Sequence, residues 1–212
     1  MKYSLNIPKV DIIAAQKYDI NASYKHLAAV CDAIRYLKAS NAMSLLDSLI
    51  AMEKPIPFRR HNKGMGSRHE LGGMKGAWPV RAARHVRLVL LNAIANANSK
   101  GFDGNEMYIV HAAANKTRIE RRNPSKGGIT WGRGMYGRVA IRHSDLEYAK
   151  VEIALAEEGN EGITKNMKYF IKKKNALYMQ KKEAKRQSGA QKGEKAKTEE
   201  AAKVQVKATE KG

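Results

Sequence analysis

Residues 107–155 read MYIVHAAANKTRIERRNPSKGGITWGRGMYGRVAIRHSDLEYAKVEIAL, and the fold turns on this stretch. At its start Met107, Ile109, His111 and Ala113 alternate with Tyr108, Val110 and Ala112, the period of two that belongs to a strand. At its end, Tyr148 to Leu155 puts Ala149, Val151, Ile153 and Leu155 on one face and Lys150 and Glu152 on the other. The two runs should pair antiparallel. Between them, residues 116–142 carry eight basic side chains against Glu120 alone, a local net charge of +7. If each arm of this segment stays extended for about 12 residues, the hairpin reaches about 40 Å, more than twice an ordinary strand. A body on the order of 140 residues has a radius of gyration near 14 Å, so most of such an arm must project beyond it. Gly127, Gly128, Gly132, Gly134 and Gly137 add backbone entropy and remove packing, so the tip should order only against a partner.

Working outward, the run Ile12 to Ile20 is a candidate third strand. From Ser23 to Leu37, the spacing of Tyr24, Leu27, Ala28, Cys31 and Ile34 predicts a helix with Ser23 placed to cap it. Ala42, Leu45, Leu46, Leu49 and Ile50 predict a second, capped by Ser40 or Asn41 and ended by Pro55. Residues 54–77 read as a long basic loop, with six basic residues and one acid, Glu70, punctuated by Pro and Gly. Pro79 then opens a helix to about Asn98, with a core stripe of Val86, Leu90, Ile94 and Ala97 and Gly101 as its stop. The class is α+β. Residues 1–158 form the body, 159–186 a basic and helical extension, and 187–212 a Lys/Glu/Ala-rich solvated tail.

The whole chain has 212 residues, with 40 Lys plus Arg against 20 Asp plus Glu, a net charge of +20 that calls for polyanionic partners. One cysteine, Cys31, excludes a disulfide framework and a Cys-rich zinc site and fits a reducing compartment. The longest apolar runs fall far short of the roughly 20 residues of a membrane span. Lys9, Asp11 and Lys17 interrupt the N-terminal region, so it lacks the layout of a secretory signal and the chain reads as cytoplasmic.

Catalytic patterns are weak. Gly132-Arg133-Gly134-Met135-Tyr136-Gly137 has the dinucleotide-binding spacing, but the segment after it alternates as a strand where that motif needs a helix. His26, His61, His69, His85, His111 and His143 show no metal-ligand spacing, and Cys31 lies on an apolar helical face as a small hydrophobe. No catalytic residue, metal or cofactor is assigned. The basic features recur instead in three elements. Arg81, Arg84 and Arg87 sit three apart on the third helix, and no acid occurs from Leu71 to Phe102. Arginine binds phosphate through two donors and stacks on bases, so Arg59, Arg60, Arg121 and Arg122 suit an irregular RNA surface. Trp78 reads first as a core anchor at the helix start.

The segments Ile56-Pro57-Phe58-Arg59-Arg60-His61-Asn62-Lys63-Gly64-Met65-Gly66, Gly76-Ala77-Trp78-Pro79-Val80-Arg81 and Asn96-Ala97-Asn98-Ser99-Lys100-Gly101, with the basic hairpin before Val151-Glu152-Ile153, resemble one family. It is the universal large-subunit ribosomal protein twenty-two, in its archaeal and eukaryotic form. The likeness covers about Tyr18 to Glu158. It implies three helices packed on a small, mainly antiparallel three-stranded sheet, a protruding basic β-hairpin and no enzymatic activity. The implied partners are large-subunit ribosomal RNA, neighbouring ribosomal proteins and the nascent polypeptide in the exit tunnel. Implied RNA contacts are Arg59, Arg60, His61, Asn62, Lys63, Arg68, Lys75, Arg81, Arg84, Arg87, Lys116, Arg118, Arg121, Arg122, Lys126, Arg133, Arg138 and Arg142. The implied hairpin tip comprises Ser125, Gly127, Gly128, Trp131, Met135 and Tyr136. The alternative is a free-standing basic nucleic-acid-binding regulator or chromatin protein; no helix-turn-helix spacing, zinc knuckle or aromatic RNA-binding motif supports it, and no specific DNA partner is expected.

Overall fold

The computed structural model describes residues 3–4, 12–120, 145–158, 163–180 and 183, which fall into two compact units that meet in sequence at Lys168 and Tyr169. In the first unit, a three-stranded antiparallel sheet has the order β1-β5-β4, with β1 at Ile13–Asn21, β4 at Tyr108–Glu120 and β5 at Leu146–Ala156. The expected pairing of the two long runs is present, in a register that sets Ile109 opposite Leu155 and Glu120 opposite Leu146. The Ile12–Ile20 run supplies the third strand, with Ile13 opposite Leu155 and Ala15 opposite Ile153. Placing β5 in the centre explains its composition: Val151, Ile153 and Leu155 are fully buried.

Three α-helices cover one face. Helix α1 (Tyr24–Ile34) packs on β4, α3 (Val80–Ser99) packs on β1 and β5, and α2 (Ala39–Ile50) packs against α3. Of the stripes read from the sequence, Leu27, Cys31 and Ile34 on α1, Ala42, Leu46 and Leu49 on α2, and Val86, Leu90, Ile94 and Ala97 on α3 are buried; Tyr24, Ala28, Leu45 and Ile50 are only half-buried, and Val30, which the reading left out, is buried. Each buried Leu, Ile or Val of this set stabilises the fold by about 1.5–3 kcal/mol relative to exposure.

The element ends differ from the sequence reading, for local reasons. Helix α1 stops at Ile34 and not at Leu37, because Tyr36 enters the left-handed region at φ 68° and turns the chain toward β4. There the Tyr36 N–H donates to the Ile109 carbonyl at 2.7 Å and the Ile109 N–H to the Leu37 carbonyl at 2.9 Å, so the connection to α2 pairs with the start of β4. Lys38, and not Ser40 or Asn41, is therefore the N-cap of α2, and Met52, at φ 58°, turns the chain before Pro55 is reached. Ser23 is the N-cap of α1 but makes no side-chain capping bond, and Pro79 occupies the N-cap of α3.

Two further corrections concern faces and loops. The expected common face of Met107, Ile109, His111 and Ala113 breaks at Val110, the extra residue of a bulge between Ile109 and His111. Beyond it Ala112 is buried and His111 turns to the other face. Residues 54–77 are not a plain loop. They hold a small two-stranded sheet, β2 (Ile56–Pro57) with β3 (Gly76–Ala77), a bridge between Ser67 and Lys75, and a 3-10 turn at His69–Leu71. In the second unit, the described residues are helical. The hairpin interior at 121–144 and the tail after residue 183 lie outside the described residues.

Candidate nucleic-acid interface

The 54–77 excursion is built inward before it presents charge outward. Pro55, Ile56 and Phe58 are buried, and the Phe58 ring meets the His26 ring of α1 edge-on at 5.7 Å. His61, at φ 53°, follows with its ring 6.1 Å from Tyr24. Anchored at these two points, the turn exposes Arg59, Arg60, His61 and Lys63 together. Asn62 turns the other way, its side-chain amide donating to the Phe58 carbonyl at 3.1 Å, so it shapes the turn and does not join the exposed set.

Arg68 is also a structural residue in large part. Its Nε donates to the Gly76 carbonyl at 3.0 Å, and its guanidinium lies 4.6 Å from the centre of the Trp78 ring. Trp78 is half-buried beneath it, so the tryptophan serves as an anchor, as the sequence first suggested. Gly76 is fixed by space, because an added Cβ would lie 2.7 Å from the Ile56 carbonyl oxygen and strike the end of Leu71. Lys75 remains exposed.

The three arginines of α3 separate into two kinds. Arg81 and Arg84 are exposed on the side away from the core stripe. Arg87 is half-buried and its Nε donates to Asp47 of α2 at 2.7 Å, so a neighbouring helix supplies the acid that the local sequence lacks. His85, between them, is held below its usual 6.5 by burial first and then by the charges of Lys17 and Arg81. Its Nδ1 is buried without a partner among the described residues. Lys17 of β1 and Arg81 thus bring two positive charges to a neutral His85, and an anion there would relieve their repulsion. Sequence reasoning missed Lys17, because nothing local links it to a helix more than 60 residues later.

Strand β4, at the other edge of the sheet, carries a further basic set. Residues 115–120 are all exposed, Lys116 and Arg118 among them, whereas Ile109, Val110 and Ala112 are buried. Arg118 lies 4.5 Å from the centre of the Tyr148 ring on β5 and 3.3 Å from Glu120. Arg121, Arg122, Lys126, Arg133, Arg138 and Arg142, and the tip set Ser125, Gly127, Gly128, Trp131, Met135 and Tyr136, lie outside the described residues. So does the Gly132–Gly137 glycine motif.

Elsewhere the groups are structural. Cys31 is fully buried, and burial pushes its thiol up to about 12. Among the described residues no three His, Cys, Asp or Glu side chains converge as a metal site, and no helix is long and apolar enough to cross a membrane.

The family profile described as Ribosomal protein L22p/L17e matches residues 15–148. The chain is 41% identical over 116 residues to the large ribosomal subunit protein uL22 of Archaeoglobus fulgidus, covering 54% of this chain and 75% of that one. It is 35% identical over 130 residues to the protein of the same name from Methanocaldococcus jannaschii, covering 60% and 83%. For that of Methanocella arvoryzae the identity is 33% over 118 residues, covering 55% and 77%.

Proposed function

Because the chain belongs to the ribosomal protein L22p/L17e family, in its archaeal and eukaryotic form, we propose that its body docks on large-subunit ribosomal RNA while its basic hairpin lines the nascent-peptide exit tunnel. As a large-subunit ribosomal protein it acts by structure and charge, in the cytoplasm, and its other partners are neighbouring ribosomal proteins. The observation that carries the tunnel part is the paired extension of β4 and β5 past the core. From Asn115 to Glu120 the strand is exposed while paired, across one bulge, with Leu146 to Lys150, and past Tyr148, where β1 ends, the two strands go on as a two-stranded ribbon to Glu120 and Leu146. The segment it leads into, residues 116–142, carries a net charge of +7, which does not serve the chain's own stability because like charges repel along it. RNA phosphates remove that cost.

The exposed set of Arg59, Arg60, His61 and Lys63, with Arg81, Arg84 and Lys17, then supplies the body's phosphate contacts. Arginine suits the task because its planar fork matches phosphate and stacks on unpaired bases. The test is a sucrose gradient of native lysate in high-magnesium and then high-salt buffer, with the chain followed by mass spectrometry. Stoichiometric comigration with large subunits in both buffers is expected. Recovery at the top of both gradients would overturn the proposal and favour the free-standing nucleic-acid-binding regulator.

A further inference from the structure

The outward face of α3 changes character along its length. At 100° per residue, Arg81 and Arg84 share one side of the helix with Leu88, Leu91, Ala95 and Ser99, opposite the core stripe, and the structure exposes all six. The first half of this face is basic, whereas from Leu88 to Ser99 the sequence holds no charged residue in a chain of net charge +20. We infer that the second half is the contact surface for a neighbouring large-subunit protein, which meets it with an uncharged, apolar side of its own. The inference rests on the ribosomal reading and divides α3 between RNA at one end and protein at the other.

Leu88 is 47% exposed and Leu91 38%, one helical turn apart, with Ala95 a turn further on. A single exposed leucine needs no explanation. A ridge at i, i+3 and i+7, in contrast, is the pattern by which one helix packs on another. Asn92, exposed beside the ridge, supplies an amide that donates and accepts without bringing charge. The centres of protein interfaces are depleted of charge in the same way.

RNA would ask for a different layout. Over the roughly 17 Å from Leu88 to Ser99 the helix offers no cation to hold a phosphate. A phosphate set against leucine loses water without gaining a partner. A second copy of the chain is no better matched, because a stable pair of free proteins needs about 20–30 residues a side and this ridge offers only a few. In the subunit that limit falls away. RNA already holds both proteins there, so the contact forms at high effective concentration and a small surface suffices.

The experiment uses the full chain in large subunits purified from cells fed photo-leucine, irradiated, digested with trypsin and mapped by mass spectrometry. Cleavage after Arg87 and Lys100 releases residues 88–100 as one peptide. Crosslinks from that peptide to another protein are expected. Crosslinks to nucleotides, or none to another protein, would overturn the inference and leave the ribosomal reading intact, whereas a chain absent from the subunits would overturn that reading. The pair Leu88→Gln and Leu91→Gln should leave the melting point and filter binding to extracted large-subunit RNA unchanged. In competition with the parent for incorporation into large subunits, the same variant should lose by on the order of tenfold. Equal incorporation would overturn the inference, as would a matching loss of RNA affinity. So would a dimer of the free parent chain in sedimentation that the variant no longer forms.

Discussion

The Glu152 carboxylate, fully buried in the central strand, holds Ser4 through its backbone N–H at 2.8 Å and its hydroxyl at 2.6 Å, joining two residues 148 positions apart. Lys150 completes the cluster at 2.5 Å, and His111 stands 3.8 Å away on the neighbouring strand. Burial alone would raise the carboxyl, but the bonds from Lys150 and Ser4 outweigh it and hold Glu152 below its usual 4.5. Its charge is thereby a fixed part of the face opposite the helices.

A depressed carboxyl gives stability that is complete above 4.5 and is lost as the pH falls through the folded value. Glu152→Gln should therefore cost about 1–3 kcal/mol near neutral pH, by removing the charge on three hydrogen bonds. The gap between parent and variant should close as the pH falls below 4.5 and through the lower folded value. Denaturant midpoints measured across that range check it, and a gap that stays constant with pH would refute it.

Burial raises the Cys31 thiol to about 12, so at pH 8 only about one molecule in 10,000 carries the thiolate that reacts. Labelling by a disulfide reagent should be negligible in the folded protein and should follow the unfolding transition as denaturant is added. Fast labelling before that transition would contradict the burial.

Much of this was legible in the chain because it is local. The stripe of α3, the centres of those of α1 and α2, and the alternation of Val151, Ile153 and Leu155 depend only on period, and the structure buries them as the spacing requires. What failed depends on distant partners. Glu152 alternates with the core residues and so reads as solvated, and only Ser4, His111 and Lys150 around it make it an interior group. His111 reads as a neighbour of Ile109 until the bulge at Val110 turns it over. Arg87 reads as one more free cation, and Asp47, 40 residues earlier, neutralises it. Residues 54–77 look irregular because β2 and β3 are each two residues long, below any detectable period.

Gly76 offers a test of that small sheet. An added Cβ would sit 2.7 Å from the Ile56 carbonyl oxygen, a backbone atom within the β2–β3 pairing that cannot yield as the end of Leu71 can. Gly76→Ala should cost about 1–3 kcal/mol. A melting point lower by about 2–10 °C is expected for a domain of this size. Gly66→Ala, where nothing lies within 4 Å, is the control and should stay within about 0.5 kcal/mol. Equal melting points for the two variants would show that the excursion is not held at Gly76.

Arg118 and its neighbours in sequence test the arm separately from the body. Arg118 is exposed and, among the described residues, meets the Tyr148 ring and Glu120 outside the core, so its removal costs the core nothing. Replacing Arg118, Arg121, Arg122 and Arg138 by Ala should leave the body folded by circular dichroism and impair incorporation into large subunits when variant and parent compete. Equal incorporation would remove the arm from the mechanism.

The arginines of α3 give the sharpest separation between charge used for RNA and charge used for packing. Neutralising about 10 phosphates makes log affinity fall with log salt at a slope of roughly −7 to −9. Arg59, Arg60, Arg81 and Arg84 are exposed, and changing all four to Ala should make the slope shallower by about 3, one phosphate contact each. Arg87 already has its anion in Asp47, and both side chains are partly exposed, at 37% and 55%. Arg87→Ala should leave the slope unchanged and lower stability by no more than about 0.5 kcal/mol. Filter binding to large-subunit RNA across a salt series measures the slopes. A flat parent slope would refute the electrostatic mechanism, and a loss at Arg87 as large as at Arg84 would show that RNA competes successfully with Asp47 for the guanidinium.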